Sequence, residues 1–160
     1  MQSKSELIEQ FTKARETIRT ILAQIDPHME IYPGWTIKEV LAHLAGWDDS
    51  TIQALQTFAA DQPPLMTAIR GINYHNQQTV EERKVLTLEQ VIREWEWVRG
   101  QLIPLIEQMS EQDFDTKIIT PWGQLLSIYD VLKIMVDHEE EHAEIIRERM
   151  ENPHGPSQEH

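Results

Sequence analysis

Leu7, Ile8, Phe11, Ala14, Ile18, Ile21, Leu22 and Ile25 recur at spacings of three and four. That period places them on one stripe of an α-helix over about residues 4 to 25. Ser3 followed by Glu6 is a capping box for its start. The stretch DPHMEIYPGW, with two prolines and a glycine, breaks the pattern. Thr36 and Glu39 form a second capping box, and Ile37, Val40, Leu41, Leu44, Ile52 and Leu55 make the stripe of a second helix ending near Ala60. Residues 61–86 are the least regular part, with a short helix expected around Tyr74 to Arg83. Thr87 caps a third long helix, whose stripe runs from Leu88, Val91 and Ile92 through Trp95, Val98 and Leu102 to Met109. Gly100 and Pro104 lie inside it and predict a bend. DFDTKIITPWGQ reads as a loop with a short extended piece at Lys117 to Thr120. Ser127 and Asp130 begin a fourth helix carrying Ile128, Val131, Leu132, Met135, Ile145 and Ile146.

Four long amphipathic helices with little strand signal predict an all-α protein. The expected architecture is a four-helix bundle with a long irregular connection between the second and third of its helices. One domain is expected over residues 1–151, followed by a flexible polar tail, 152–160. The chain has 160 residues, 40% of them hydrophobic, which suits a single core. Its formal net charge is −13. Such a surface repels phosphate backbones and anionic membranes, so neither nucleic acid nor a membrane is expected as a partner. There are no cysteines, which excludes disulfides, thiolate metal ligands and a cysteine nucleophile. The N-terminal residues are polar and no apolar run reaches ~18 residues, so a cytoplasmic location is the expectation.

Chemistry concentrates in DHEEEH, Asp137 to His142. At about 100° per residue, His138 and His142 fall inside the apolar stripe of the fourth helix, while Asp137 and Glu140 point away. Two imidazoles at i and i+4 can chelate one ion from a single helix face. They can equally be hydrogen-bonded core histidines. A third ligand must come from another helix, and His43 in LAHLAGWDD, at the edge of the second stripe, is the candidate. Together the three offer facial nitrogen coordination suited to zinc, nickel or iron. The same stretch spells H-E-x-x-H, but no metzincin extension and no room for a later glutamate ligand follow it. Glu139 is therefore either a helix-surface residue or a partner of a ligand histidine. Asp48, on the second stripe, needs a partner, either a substrate or ligand group or a basic side chain. Both carboxylates are candidates for proton transfer. Trp47, Tyr74 and Asn76 are candidate pocket residues, and His75 reads as a surface loop residue that could approach the same mouth. Trp97 points away from its stripe, which makes a homodimer a candidate assembly.

WTIKEVLAHLAGWDD with His43, and DHEEEHAEII with His138 and His142, resemble the DinB-like (DinB/YfiT-like) superfamily of metal-binding four-helix bundles. The GW after the first histidine, AADQPP and INYHNQQTVEER are similar to the branch that includes the ClbS/DfsB-like self-protection proteins. The resemblance implies that His43, His138 and His142 are metal ligands. It also implies a reaction class: thiol-dependent transfer or hydrolysis on a small reactive electrophile, with a low-molecular-weight thiol such as bacillithiol or mycothiol as co-substrate. The alternative is a non-catalytic protein that binds or sequesters a small molecule.

Overall fold

In the computed structural model, which describes residues 1–155, each long helix begins at the cap its sequence carries. The order along the chain is α1 (Lys4–Leu22), α2 (Ile37–Ala59), α3 (Ile72–Glu82), α4 (Leu88–Gln108), α5 (Glu111–Asp115), β1 (Lys117–Ile119), β2 (Leu125–Ser127) and α6 (Ile128–Glu151). At α1 the Ser3 N–H donates to Glu6 Oε2 (2.8 Å) while Ser3 Oγ accepts from the Glu6 N–H (3.2 Å). Thr36 N–H donates to Glu39 Oε2 (2.9 Å) at α2, and Thr87 Oγ1 and Ser127 Oγ accept from the N–H groups of Gln90 and Asp130 at α4 and α6. These bonds satisfy donors that the first helical turn leaves unpaired.

The four long helices close a ring: α1 packs on α6, α6 on α2, α2 on α4, and α4 on α1. This is the four-helix bundle expected from the hydrophobic pattern. Solvent does not reach Leu7, Phe11 and Ile18 of α1, Val40, Leu41 and Leu55 of α2, Val91, Trp95 and Leu102 of α4, or Leu132 and Ile146 of α6. The connection between α2 and α4 is long, as predicted, and its α3 lies against α2. α4 continues through Gly100 and Pro104 to Gln108, although Pro104 has no N–H for the Gly100 carbonyl. α5 and β2 were not foreseen, because five and three residues are too short to show a period. β2 pairs antiparallel with β1, the extended piece that was foreseen. Asn152–Gly155 form a turn after α6, and residues 156–160 of the predicted tail lie outside the described residues. No helix among the described residues is long and apolar enough to cross a membrane.

Each bundle helix also places one charge in the interior. Arg15 (α1), Asp48 (α2), Arg99 (α4) and Glu139 (α6) are all buried. Arg99 Nε and Nη2 donate to the two oxygens of Asp48 (2.9 and 3.2 Å), and Nη2 also donates to Glu139 Oε2 (2.7 Å). Arg15 Nε donates to Glu139 Oε1 (3.1 Å) and its Nη2 to Asp48 Oδ2 (3.3 Å). Each arginine further donates to a backbone carbonyl on a neighbouring helix, Arg15 to Trp95 O (2.6 Å) and Arg99 to Phe11 O (3.4 Å). The Arg15 guanidinium lies 3.7 Å over the Trp95 ring. Burial, and the charge of Arg99 beside it, push Arg15 down to about 10, so it stays cationic at neutral pH. Burial also works against the Arg99 charge, but Asp48 and Glu139 outweigh it and hold Arg99 above the ordinary arginine range.

Removing one partner from such a cluster strands an opposite charge in the core. Arg99→Ala is expected to lower the unfolding free energy in urea by about 3–5 kcal/mol. Arg99→Lys restores only part of the loss, because an ammonium cannot span two carboxylates as the planar fork does. An Arg99→Ala variant as stable as the parent chain would show that the cluster does not hold the helices together.

Candidate functional site

His43 on α2 meets His138 and His142 on α6 through their ring nitrogens. His138 Nε2 lies 3.2 Å from His43 Nε2 and 2.8 Å from His142 Nε2. One potential ligand atom from each residue lies within 4.8 Å of the others. His43 and His142 are buried and His138 is half-buried. Nitrogens held ~2.0–2.1 Å from one ion at octahedral or tetrahedral angles are roughly 2.8–3.4 Å apart, so the two spacings from His138 Nε2 fit a shared divalent ion. The donor chemistry fits as well, since neutral imidazoles suit zinc, nickel or iron. Burial holds His138 below the usual histidine range, against the pull of Glu141, Glu139 and Asp48, which favours the neutral ligand form. The structure thus brings together all three predicted ligands.

A second layer comes from the segment that the hydrophobic pattern showed only as a break. Tyr32-Pro33-Gly34-Trp35 is a tight turn, with Trp35 N–H donating to Tyr32 O (2.9 Å) and Gly34 at φ +77°. Proline then glycine at the turn centre is the combination that a positive φ at the third position requires. The turn sets both aromatic rings against the trio. Tyr32 Oη and His142 Nδ1 are hydrogen-bonded at 2.5 Å, and the Trp35 ring lies 5.3 Å from His43. Burial pushes the Tyr32 phenol up, so it remains protonated. A sequence signal existed in the PG dipeptide flanked by aromatics, but nothing in the chain's periodicity says which helix ends such a turn will face.

Above the trio opens a cavity of about 240 Å³, lined by His43, His138, Trp47, Asn73, Asn76, Trp122, Ile72, Ile134 and Met135. Of the predicted pocket residues, Trp47 and Asn76 line it, joined by a hydrogen bond from Trp47 Nε1 to Asn76 Oδ1 (2.7 Å). Tyr74 does not. Two residues earlier on α3, it faces elsewhere, is exposed, and holds Arg70 by a hydrogen bond to its hydroxyl (2.7 Å). Trp122 was missed; the β1–β2 turn carries it to 5.9 Å from Trp47. His75 is not a surface loop residue. It sits on α3, its ring packs tilted against Trp47 at 4.3 Å, and its Nε2 lies 3.3 Å from the buried Ser50 Oγ, which in turn accepts from Thr67 Oγ1. Burial lowers the His75 pKa. Glu139 is neither on the helix surface nor free beside the trio, because Arg15 and Arg99 occupy both its oxygens. Asp48 has found basic partners, the same two arginines. Trp97 is exposed, as its position predicts.

A sequence model of the DinB superfamily matches residues 29–146. No curated protein matches the chain. Among solved structures, the sibling lethal factor precursor DfsB is similar with a TM-score of 0.80 and 18% identity, covering 98% of this chain and 99% of that one. The colibactin self-resistance protein ClbS, in complex with dsDNA, is similar at 0.77 and 15%, over 93% and 96% of the two chains. A mycothiol-dependent maleylpyruvate isomerase gives 0.70 and 17%, over 91% of this chain and 63% of that one. The ClbS complex overturns the expectation that nucleic acid is excluded as a partner. Net charge describes the whole molecule, whereas a duplex meets only a local patch, so −13 cannot by itself rule out a nucleic-acid contact.

The cavity wall depends on close packing of α3 against α2. A Cβ added at Gly46 would lie 1.8 Å from Thr79 Oγ1 and 2.7 Å from Thr79 Cβ. Gly46→Ala must therefore push α3 outward, and is expected to cost about 1–3 kcal/mol in urea unfolding. It should also change tryptophan emission as the Trp47–Asn76 bond opens. Unchanged stability and emission would show that α3 can shift freely.

Proposed function

The chain belongs to the DinB superfamily, and on that footing we propose that it is a metal-dependent enzyme whose His43, His138 and His142 hold a divalent zinc, nickel or iron ion. The observation that carries this reading is the convergence of three imidazole nitrogens from two helices at the edge of an open cavity. The substrate class is a small reactive electrophile, and the reaction is either transfer of a low-molecular-weight thiol or hydrolysis. Likeness to the mycothiol-dependent isomerase supports the thiol branch. A bound divalent ion would supply Lewis acidity, easing deprotonation of a thiol or water and polarising the electrophile.

The remaining roles belong to side chains of the chain. With Nε2 turned to the trio, His142 carries its proton on Nδ1 and donates it to Tyr32 Oη, which locks tautomer and ring orientation. Trp35 limits the room in which the His43 ring can turn. Glu139 and Asp48 act as positioning residues. Every one of their oxygens accepts from an arginine, so protonating either carboxylate would weaken the cluster. Trp47, Asn76 and Trp122 form the substrate wall. A second reading, favoured by likeness to the self-resistance protein ClbS, is a protective protein that sequesters a small molecule without turnover. Ligand binding that survives loss of the histidines would single it out.

Metal analysis is the direct test. The purified chain, supplied with zinc, nickel or ferrous iron, is expected to retain about one ion per chain, matching the three-histidine set found among the described residues. His138→Ala should lose that ion with its helical circular dichroism unchanged. A parent chain that takes up none of the three metals sinks the enzyme reading. Tyr32→Phe, which keeps the ring and removes the hydrogen bond, should weaken metal affinity about 10–100-fold in chelator competition. Equal affinity would show that Tyr32 merely packs.

A further inference from the structure

One nearly buried amide of the cavity is only half used. Asn76 is 7% exposed and lines the space above the trio. The indole Nε1 of Trp47 can only donate, so the Asn76 atom 2.7 Å from it must be Oδ1. That bond settles which way round the amide stands. Nδ2, with two N–H groups, is left on the other branch, and no described residue accepts from it. Nδ2 is not sealed from solvent, so it is a donor open to whatever enters the cavity. The rest of the lining says what. Trp47, Trp122, Ile72, Ile134 and Met135 are apolar, and no Lys, Arg, Asp or Glu lines the cavity. Without an ion on the histidines, nothing in this wall compensates a carboxylate or an ammonium on the ligand.

We infer that Asn76 is the polar anchor of the cavity, donating from Nδ2 to the oxygen of a neutral carbonyl compound whose flat apolar flank lies against Trp47 and Trp122. This inference rests on the reading of the cavity as the substrate site, and it narrows the electrophile to one with an uncharged C=O beside an aromatic or conjugated group. The carbonyl acceptor matches this donor; the Asn73 amide also lines the cavity, but Asn73 is exposed whereas Asn76 is nearly buried. The flank matches the two indoles, which meet edge to face 5.9 Å apart and leave apolar surface turned to the opening. Trp47 serves both functions, because its N–H orients Asn76 while its ring bounds the ligand.

Acetophenone and α-methylstyrene test this, because they share a shape and differ only in C=O against C=CH2. Each is titrated into the full-length chain, first stripped of metal and then supplied with zinc, and followed by the ¹H–¹⁵N signals of the Asn76 amide and the Trp47 indole. The metal-free chain is expected to bind acetophenone roughly fivefold tighter than α-methylstyrene. In the metal-free chain benzoate should bind more weakly than acetophenone. Asn76→Asp keeps an oxygen for the Trp47 indole but removes the NH2 group, and at pH 8 it should bring the ratio near one. Asn76→Leu should do the same. Trp122→Ala should weaken both probes and leave the ratio in place. In the metal-free chain, a ratio near one in the parent, a ratio that survives in Asn76→Asp, tighter binding of benzoate, or no saturable binding of either probe overturns the inference. Zinc uptake on the same samples separates the two readings. A chain that holds zinc but shows no ratio refutes only the role of Asn76, and one that keeps the ratio but takes no zinc refutes only the metal centre.

Discussion

Four charges buried at the centre of the bundle, one from each long helix, constrain everything built around them. Arg15 and Arg99 face Asp48 and Glu139, and the two signs cancel. A hydrophobic stripe tolerates sliding and rotation, because many apolar packings are nearly equal in free energy. A planar guanidinium bonded to carboxylates on two other helices does not. The cost of desolvating these groups is high, so their contribution lies less in net stability than in selecting one arrangement of helices. Glu139 lies between His138 and His142 on α6, and Asp48 follows His43 by little more than a turn on α2. The cluster therefore sets the rotation of the two helices that must present the three imidazoles to one point.

Around that point the structure is layered by distance from the charges. The trio comes first, its rings 4.3 to 5.0 Å apart. The Tyr32–Trp35 turn closes one side and orients His142 and His43. On the other side α3 and the β1–β2 turn leave an opening walled by indoles. That opening is held from outside: the Ala68 N–H bonds to the Pro121 carbonyl (2.8 Å), tying the α2–α3 connection to the hairpin. The long connection is thus not a passive linker but the part that gives the site its roof.

The H-E-x-x-H pattern illustrates how a motif can be correct in its letters and wrong in its roles. In a zinc protease the glutamate serves the metal-bound site as a base. Here the same glutamate faces the arginines, one residue's rotation away from the imidazoles. The helical period separates the two faces, and burial of Arg15 and Arg99 decides what Glu139 meets.

Much of this was legible along the chain. The caps at Ser3, Thr36, Thr87 and Ser127 and the apolar periods defined four helices, because those signals are local. The alignment of His43 with the H-x3-H pair on inward faces was legible for the same reason. Arg15 and Arg99 carried a signal too: each interrupts an apolar stripe, one turn after Phe11 and Trp95 respectively, as Asp48 interrupts its own. A charge on such a stripe shows that a partner exists but not which helix supplies it. Tyr32 and Trp122 sit in turns, where no period operates, and their contacts depend on which helices end nearby. The sequence by itself determined the apolar stripes that face inward, since 3.6 residues per turn is a property of the backbone. The tertiary structure decided which inward residues meet, since that depends on how four helices are rotated against one another, and here the buried arginines and carboxylates hold that rotation.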